Sequence, residues 1–248
     1  MYSLQFRNWK VGIASWSVRQ FPLDVQMAVT AGLGLDWFEI ANLLMPRKDQ
    51  PALDPMRVRT LYEDYGLHAD AVYDKVDEDI DRSRWLFERA KAAGFKTITT
   101  SGGGPVIYDQ LEQLALEFDM RVALHNHGPQ DKIHGYSRQV VAALQNRDAR
   151  MGACVDVAWS MMSSEDPIAV IQKLGPRVMS IHIRDHREVT MESECTLGEG
   201  FLDLPLLLRT LQDLSFSGAL SIETVINPEN PLPDIQKHIA ALQKAIKA

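Results

Sequence analysis

The stretch Val178-Met179-Ser180-Ile181-His182-Ile183-Arg184 decides the fold. Side chains alternate across a β-strand, so Met179, Ile181 and Ile183 share one face and Ser180, His182 and Arg184 the other. The first face is large and aliphatic, as a strand packed against helices requires. The second starts small and ends ionisable. Three other segments share this pattern. Val122 and Leu124 face out, which turns Ala123, His125 and His127 inward. Val155 and Val157 face out, which turns Cys154 and Asp156 inward. Leu220 and Ile222 face out, which turns Ala219, Ser221 and Glu223 inward.

Working outward, short β-rich runs alternate with amphipathic helical segments along the whole chain. Strands are expected at 11–16, 36–40, 67–72, 97–101, 122–125, 153–157, 178–183 and 219–223. Helices are expected at 24–32, 55–65, 79–93, 108–118, 137–145, 167–174, 204–214 and 233–246, with Gly66 and Gly94 as C-terminal stops. Alternating strands and helices imply a parallel sheet. Eight repeats in 248 residues favour a closed (β/α)8 TIM barrel, residues 1–248 forming one domain. An open doubly wound sheet is the alternative, but the first strand ends Ala14-Ser15-Trp16-Ser17, with no glycine-rich dinucleotide fingerprint.

Composition narrows the function classes. Lys plus Arg is 26 against 33 Asp plus Glu, a formal net charge of −7. That argues against a nucleic-acid partner, which would want a basic stripe. No apolar run is long enough for a membrane span. The two cysteines, Cys154 and Cys195, form no disulfide framework. The opening residues 1–10 lack the apolar core of a signal peptide, so the cytoplasm is the default expectation.

The inward faces of the last four strand segments end in metal-capable residues: His125, Asp156, His182 and Glu223. They are 31, 26 and 41 residues apart, each about one strand–helix unit. They therefore come from four successive strands and converge at the C-terminal mouth, where such barrels build active sites. Ionisable groups inside a barrel are costly unless paired or coordinated, and a divalent cation would satisfy all four together. Manganese, cobalt, iron, zinc or magnesium is expected. Two carboxylates and two imidazoles suit the transition metals better than calcium. Singly, each residue has a plainer explanation: a core histidine, or an aspartate capping the next helix.

Other positions are open to two readings. Glu39 faces in and could bind a substrate hydroxyl or pair with Arg184. Trp16, at the inner end of the first strand, could line the pocket or belong to the core. Arg184 could bind a carboxylate, hydroxyl or phosphate of the substrate. Asp185 could support a ligand or cap its own loop. Ser101-Gly102-Gly103-Gly104 reads better as a flexible turn than as a phosphate cradle. His134 could reach the substrate or be solvated. The long polar segment 187–201 could be a lid.

On these residues the chain resembles the xylose isomerase-like TIM barrel superfamily of sugar and sugar-phosphate isomerases and epimerases. The carriers are Leu124-His125-Asn126-His127-Gly128, Val155-Asp156-Val157-Ala158-Trp159, His182-Ile183-Arg184-Asp185, Leu197-Gly198-Glu199-Gly200 and Ser221-Ile222-Glu223. The resemblance implies a divalent metal on the four strand-end residues. It also implies a small-molecule sugar as substrate, proton abstraction next to a carbonyl through an enediolate, and a homodimer or homotetramer.

Two positions depart from the family pattern. His125 stands where members carry Glu, and Trp159 stands where they carry His. The first removes one carboxylate of a two-glutamate epimerase and leaves Glu223, His125 and His127 as acid–base candidates. The second places an apolar wall where a polar contact is usual, so Trp159 joins Glu39, Trp16 and Arg184 as a substrate-binding candidate. The leading expectation is an isomerase or epimerase. A lyase or dehydratase acting on a keto-sugar or keto-inositol with a histidine base is the alternative, and a non-catalytic sugar-binding barrel the third.

Overall fold

The computed structural model describes residues 6, 9–42, 44, 45, 51–76 and 78–247. Most of the N-terminal stretch read above for a leader lies outside the described residues.

The chain runs β1 (Lys10–Ala14), α1 (Leu23–Gly32), β2 (Trp37–Ala41), α2 (Pro55–Tyr65), β3 (Ala71–Tyr73), α3 (Ile80–Ala92), β4 (Thr97–Thr100) and α4 (Pro105–Phe118). It continues through β5 (Arg121–His125), α5 (Ser137–Ala143), β6 (Met151–Asp156), α6 (Val157–Met162), α7 (Pro167–Leu174) and β7 (Val178–Ile183). A short pair, β8 (Asp185–His186) and β9 (Glu194–Cys195), precedes α8 (Leu204–Asp213), β10 (Ala219–Ile222) and α9 (Leu232–Lys247). The strand order β1-β10-β7-β6-β5-β4-β3-β2 closes a barrel, and β8 pairs only with β9. All barrel pairings are parallel.

The strand parity is what closes it. Val122, Leu124, Ile181, Ile183, Leu220 and Ile222 are fully buried beneath the helices. Each such side chain contributes about 1.5–3 kcal/mol by leaving water. Inside, the Trp37 side chain packs with the small Ala71 and Ala219 to fill the barrel. Helix ends follow local chemistry: Asp54 accepts the Met56 N–H at 3.1 Å to start α2, and Gly66 at φ 63° ends it. Among the described residues no helix is long and apolar enough to cross a membrane. Both cysteines are free and buried.

Several boundaries differ from expectation, and at three strands the reason is local. The third strand is Ala71–Tyr73 rather than 67–72, because the Leu67 N–H turns back to the Tyr62 carbonyl to close α2. The sixth ends at Asp156, whose carboxylate accepts the Trp159 N–H at 2.9 Å, so Val157 opens α6 instead of extending the strand. The first ends at Ala14, and Trp16 sits in a 3-10 turn spanning Ser15–Val18.

Candidate active site at the C-terminal mouth

Register sets the depth of the site. Asp156 lies beside His182, and His182 beside Ser221 on the next strand. His125 lies beside Cys154, one strand further round. The four expected ligands are therefore brought together. Asp156, His182 and Glu223 each offer one donor atom, and these atoms lie within 4.8 Å of one another. His125 Nε2 is 3.2 Å from His182 Nδ1 and 3.8 Å from Asp156 Oδ2.

His182 is the hub. Its Nε2 faces Glu39 Oε2 at 2.6 Å, and its Nδ1 faces Glu223 Oε2 at 3.2 Å. The Ser221 hydroxyl donates to Glu39 at 3.2 Å and receives the Trp37 indole N–H at 2.9 Å. Glu39 does not pair with Arg184, as one reading of the sequence held. Its Oε2 meets His182 instead, whereas Arg184 meets Asp156 Oδ2 at 2.9 Å and Glu223 Oε1 at 3.5 Å.

Electrostatics follow from burial. His182, Asp156, Arg184 and Glu39 are almost wholly enclosed. Burial opposes a charge on His182, yet Cys154, Glu39 and Glu223 outweigh it and lift its pKa well above the usual imidazole value. Burial and the neighbouring His182 push His125 well below that value, so His125 is neutral. Burial would raise Glu223, but Arg184 and His182 hold it well below the carboxylate range.

The residues present fit a divalent cation. His182 directs Nε2–H to Glu39 and, with its raised pKa, a second proton on Nδ1 toward Glu223 Oε2 and His125 Nε2. The acceptors converging there draw positive charge, which a divalent cation in place of the Nδ1 proton would supply. A carboxylate behind a ligating imidazole is also the usual device for fixing its tautomer. Asp156 serves both readings made of it: one oxygen caps α6 and the other faces Arg184 and His125.

A cavity of about 400 Å³ opens above this cluster. Glu39, His125, His127, His182, Arg184 and Glu223 line it, with Trp16 and Trp159. Trp16 is 47% exposed at the rim, with the Arg19 guanidinium 4.4 Å from its ring centre. Trp159 stacks near His127, ring centres 5.7 Å apart. Its seat is Gly128: a Cβ there would fall 2.2 Å from the indole, and φ is 84°.

Other expectations are resolved more plainly. His134 is neither solvated nor at the cavity; it is buried, with Nε2 at 2.7 Å from the Tyr108 hydroxyl and Nδ1 at 3.1 Å from the Ser101 carbonyl. Asp185 caps its own loop, accepting the N–H groups of His186, Gly198, Gly200 and Leu202. Segment 187–201 folds as the β8–β9 hairpin and places Met191 on the cavity wall. The glycine loop after β4 packs closely against the chain following β3, since a Cβ on Gly102 would meet the Val76 carbonyl at 2.1 Å.

Sequence reasoning missed Tyr73, Lys75 and Glu194. Tyr73 and Lys75 line the cavity. Parity carried one residue past the expected end of the third strand would have found Tyr73. Glu194 is buried and accepts the Val225 N–H at 3.1 Å, and burial raises its pKa. It comes from the two-residue strand β9, too short for any periodicity to flag it.

Comparison with known proteins adds the following. The profile of the family described as xylose isomerase-like TIM barrel matches residues 27–245. No curated protein matches the chain significantly. Among solved structures, an uncharacterised protein from Parabacteroides distasonis is 25% identical, covering 96% of this chain and 99% of its own at a TM-score of 0.73. The 3-keto-D-glucoside 4-epimerase of E. coli is 16% identical, with coverage of 95% and 99% and a TM-score of 0.73. The probable 3-DHS dehydratase of petrobactin synthesis from Bacillus anthracis is 14% identical, with coverage of 95% and 98% and a TM-score of 0.75. At those last two identities the likeness is one of fold.

Proposed function

From the premise that the chain belongs to the xylose isomerase-like TIM barrel family, we propose that it is a divalent-metal-dependent keto-sugar isomerase or epimerase. The observation that carries this reading is the convergence of His125, Asp156, His182 and Glu223 at the cavity floor. These four would hold the cation. What the bound cation supplies is polarisation of the substrate's carbonyl and neighbouring hydroxyl oxygens, which acidifies the adjacent C–H.

The chain's own residues do the rest. Glu39 fixes His182 through Nε2 and keeps its Nδ1 turned to the cavity floor. Arg184 neutralises Asp156 and Glu223, so that these carboxylates stay ionised in an enclosed site. Proton transfer falls to His127, two residues past β5, which lines the cavity outside the ligand cluster. Glu223, at the end of β10, is the second acid–base group. Trp16 and Trp159 offer apolar faces to the C–H side of a sugar.

The test is incubation of the metal-loaded protein with ketoses in heavy water, followed by NMR and mass spectrometry. Deuterium at a carbon next to the carbonyl with the formula otherwise conserved supports the reading, and Asp156→Ala should abolish it. Metal binding with no exchange from any ketose would favour the non-catalytic sugar-binding barrel instead. One observation favours elimination as the second reading: a neutral histidine, not a carboxylate, ends β5. Release of water with an ultraviolet-absorbing unsaturated product would decide for it.

A further inference from the structure

We propose that Lys75 selects substrates bearing an anionic group, a carboxylate or a phosphate, at the end of the molecule away from the reacting carbon. This rests on the keto-sugar reading of the same cavity. Lys75 follows β3, two residues beyond Tyr73, whose ring lies 5.5 Å from that of His125. It lines the cavity and is exposed. Among the described residues no carboxylate lies within ion-pair distance of its ammonium.

The backbone around it is held firmly. The buried Asp74 carboxylate accepts the N–H groups of Leu44 and Met45, both at 3.1 Å, and that of Lys75 itself at 2.9 Å. The Val76 N–H donates to the Thr100 hydroxyl at 3.2 Å. An uncommitted ammonium thus rises from a fixed backbone.

The other basic side chains of the cavity already face acids. Arg184 faces Asp156 and Glu223, and His182 faces Glu39 and Glu223. His127 has Asp131 at 4.0 Å. Much of the remaining wall is apolar: Trp16, Trp159, Met191 and Val225. A neutral sugar would leave the Lys75 charge answered only by water. An anion would meet it in a partly dehydrated setting, where opposite charges attract more strongly. The carboxylates on the floor repel an anionic end, and Lys75 above them attracts it. The two effects orient a substrate carbonyl-down.

The test uses three probes on the metal-loaded enzyme: D-fructose, 5-keto-D-gluconate and D-fructose 6-phosphate. Binding is read from tryptophan fluorescence, since Trp16 and Trp159 line the cavity, and turnover from deuterium exchange. At least one anionic probe should bind about 10–100-fold more tightly than fructose, as expected for one charge-assisted contact. The stronger of the two identifies carboxylate or phosphate. Lys75→Met should remove that advantage through KM with kcat nearly unchanged, leaving fructose unaffected, and Lys75→Arg should restore part of it. Equal binding of all three by the wild type, binding of none, or an equal loss for all three in Lys75→Met overturns the assignment. Lys75-dependent anion binding without exchange instead overturns the isomerase reading and leaves Lys75 in place.

Discussion

The two mouths of the barrel enclose cavities of similar size, about 400 Å³ at the C-terminal end and about 340 Å³ at the N-terminal end. Both carry charged residues, but they dispose of charge differently. At the N-terminal mouth Asp70 is caught between Lys10 and Lys96, and Lys96 is 73% exposed. Burial would raise the Asp70 carboxyl, but Lys10 and Lys96 outweigh it and lower its pKa. The cluster is paired and open to water. At the C-terminal mouth Glu39, Asp156 and Glu223 crowd around one arginine and one hub histidine, with Glu39 Oε1 and His125 Nδ1 left without partners. The acid at one end is matched by its lysines; the other end leaves buried polar atoms unpartnered, as the proposed cation and substrate would require.

The sharpest way to break this comparison is to remove one carboxylate from each mouth and measure denaturant unfolding of the metal-free protein. Asp156→Ala leaves Arg184 charged and enclosed, and should cost about 3–5 kcal/mol. A loss near that of a surface pair would contradict the contrast. Next in size is acid sensitivity. His238 of α9 is buried neutral, faces the Leu197 N–H at 3.3 Å, and is pushed by burial to about 4 from 6.5. Its folded pKa is depressed, so between those values the unfolded chain binds more protons. Stability should fall as pH drops below 6.5 and level off below 4, by about 3 kcal/mol at most. His238→Gln should flatten this part of the profile. Because Leu197 belongs to the loop following β9, hydrogen exchange should report loosening at the C-terminal mouth first.

Glu39→Gln should weaken metal binding about 10–100-fold while the protein stays folded, the usual effect of losing a carboxylate behind a ligating histidine. Unchanged affinity, read by calorimetry, would mean that His182 is not oriented by Glu39. The smallest effect is expected at the other mouth: Asp70→Ala should cost under about 1 kcal/mol, since the two lysines it leaves, Lys10 and Lys96, reach water.

Much of this was legible in the sequence, for a definite reason. Strands have a period of two, so Met179, Ile181 and Ile183 fix the inward direction of Ser180, His182 and Arg184 whatever the exact strand ends. The ligand candidates on β5, β6, β7 and β10 follow from that parity alone. Periodicity is silent on partner choice and on loops. It could not assign Glu39 to His182 rather than Arg184, because which side chains meet across the barrel is set by packing between strands, not by order within one. Nor could it show Asp156 capping α6, His134 held by Tyr108, or Glu194 reaching Val225 from the β9 hairpin. Lys75 escaped notice because its significance lies in having no carboxylate partner among the described residues, which periodicity does not report.

The central claim is that the C-terminal mouth binds a divalent cation through His125, Asp156, His182 and Glu223. Its most direct test is calorimetric titration of manganese into chelator-stripped protein. The account predicts saturable binding of about one ion per chain, greatly weakened by His182→Gln. No saturable binding of manganese, cobalt or zinc to the folded wild-type protein would contradict it.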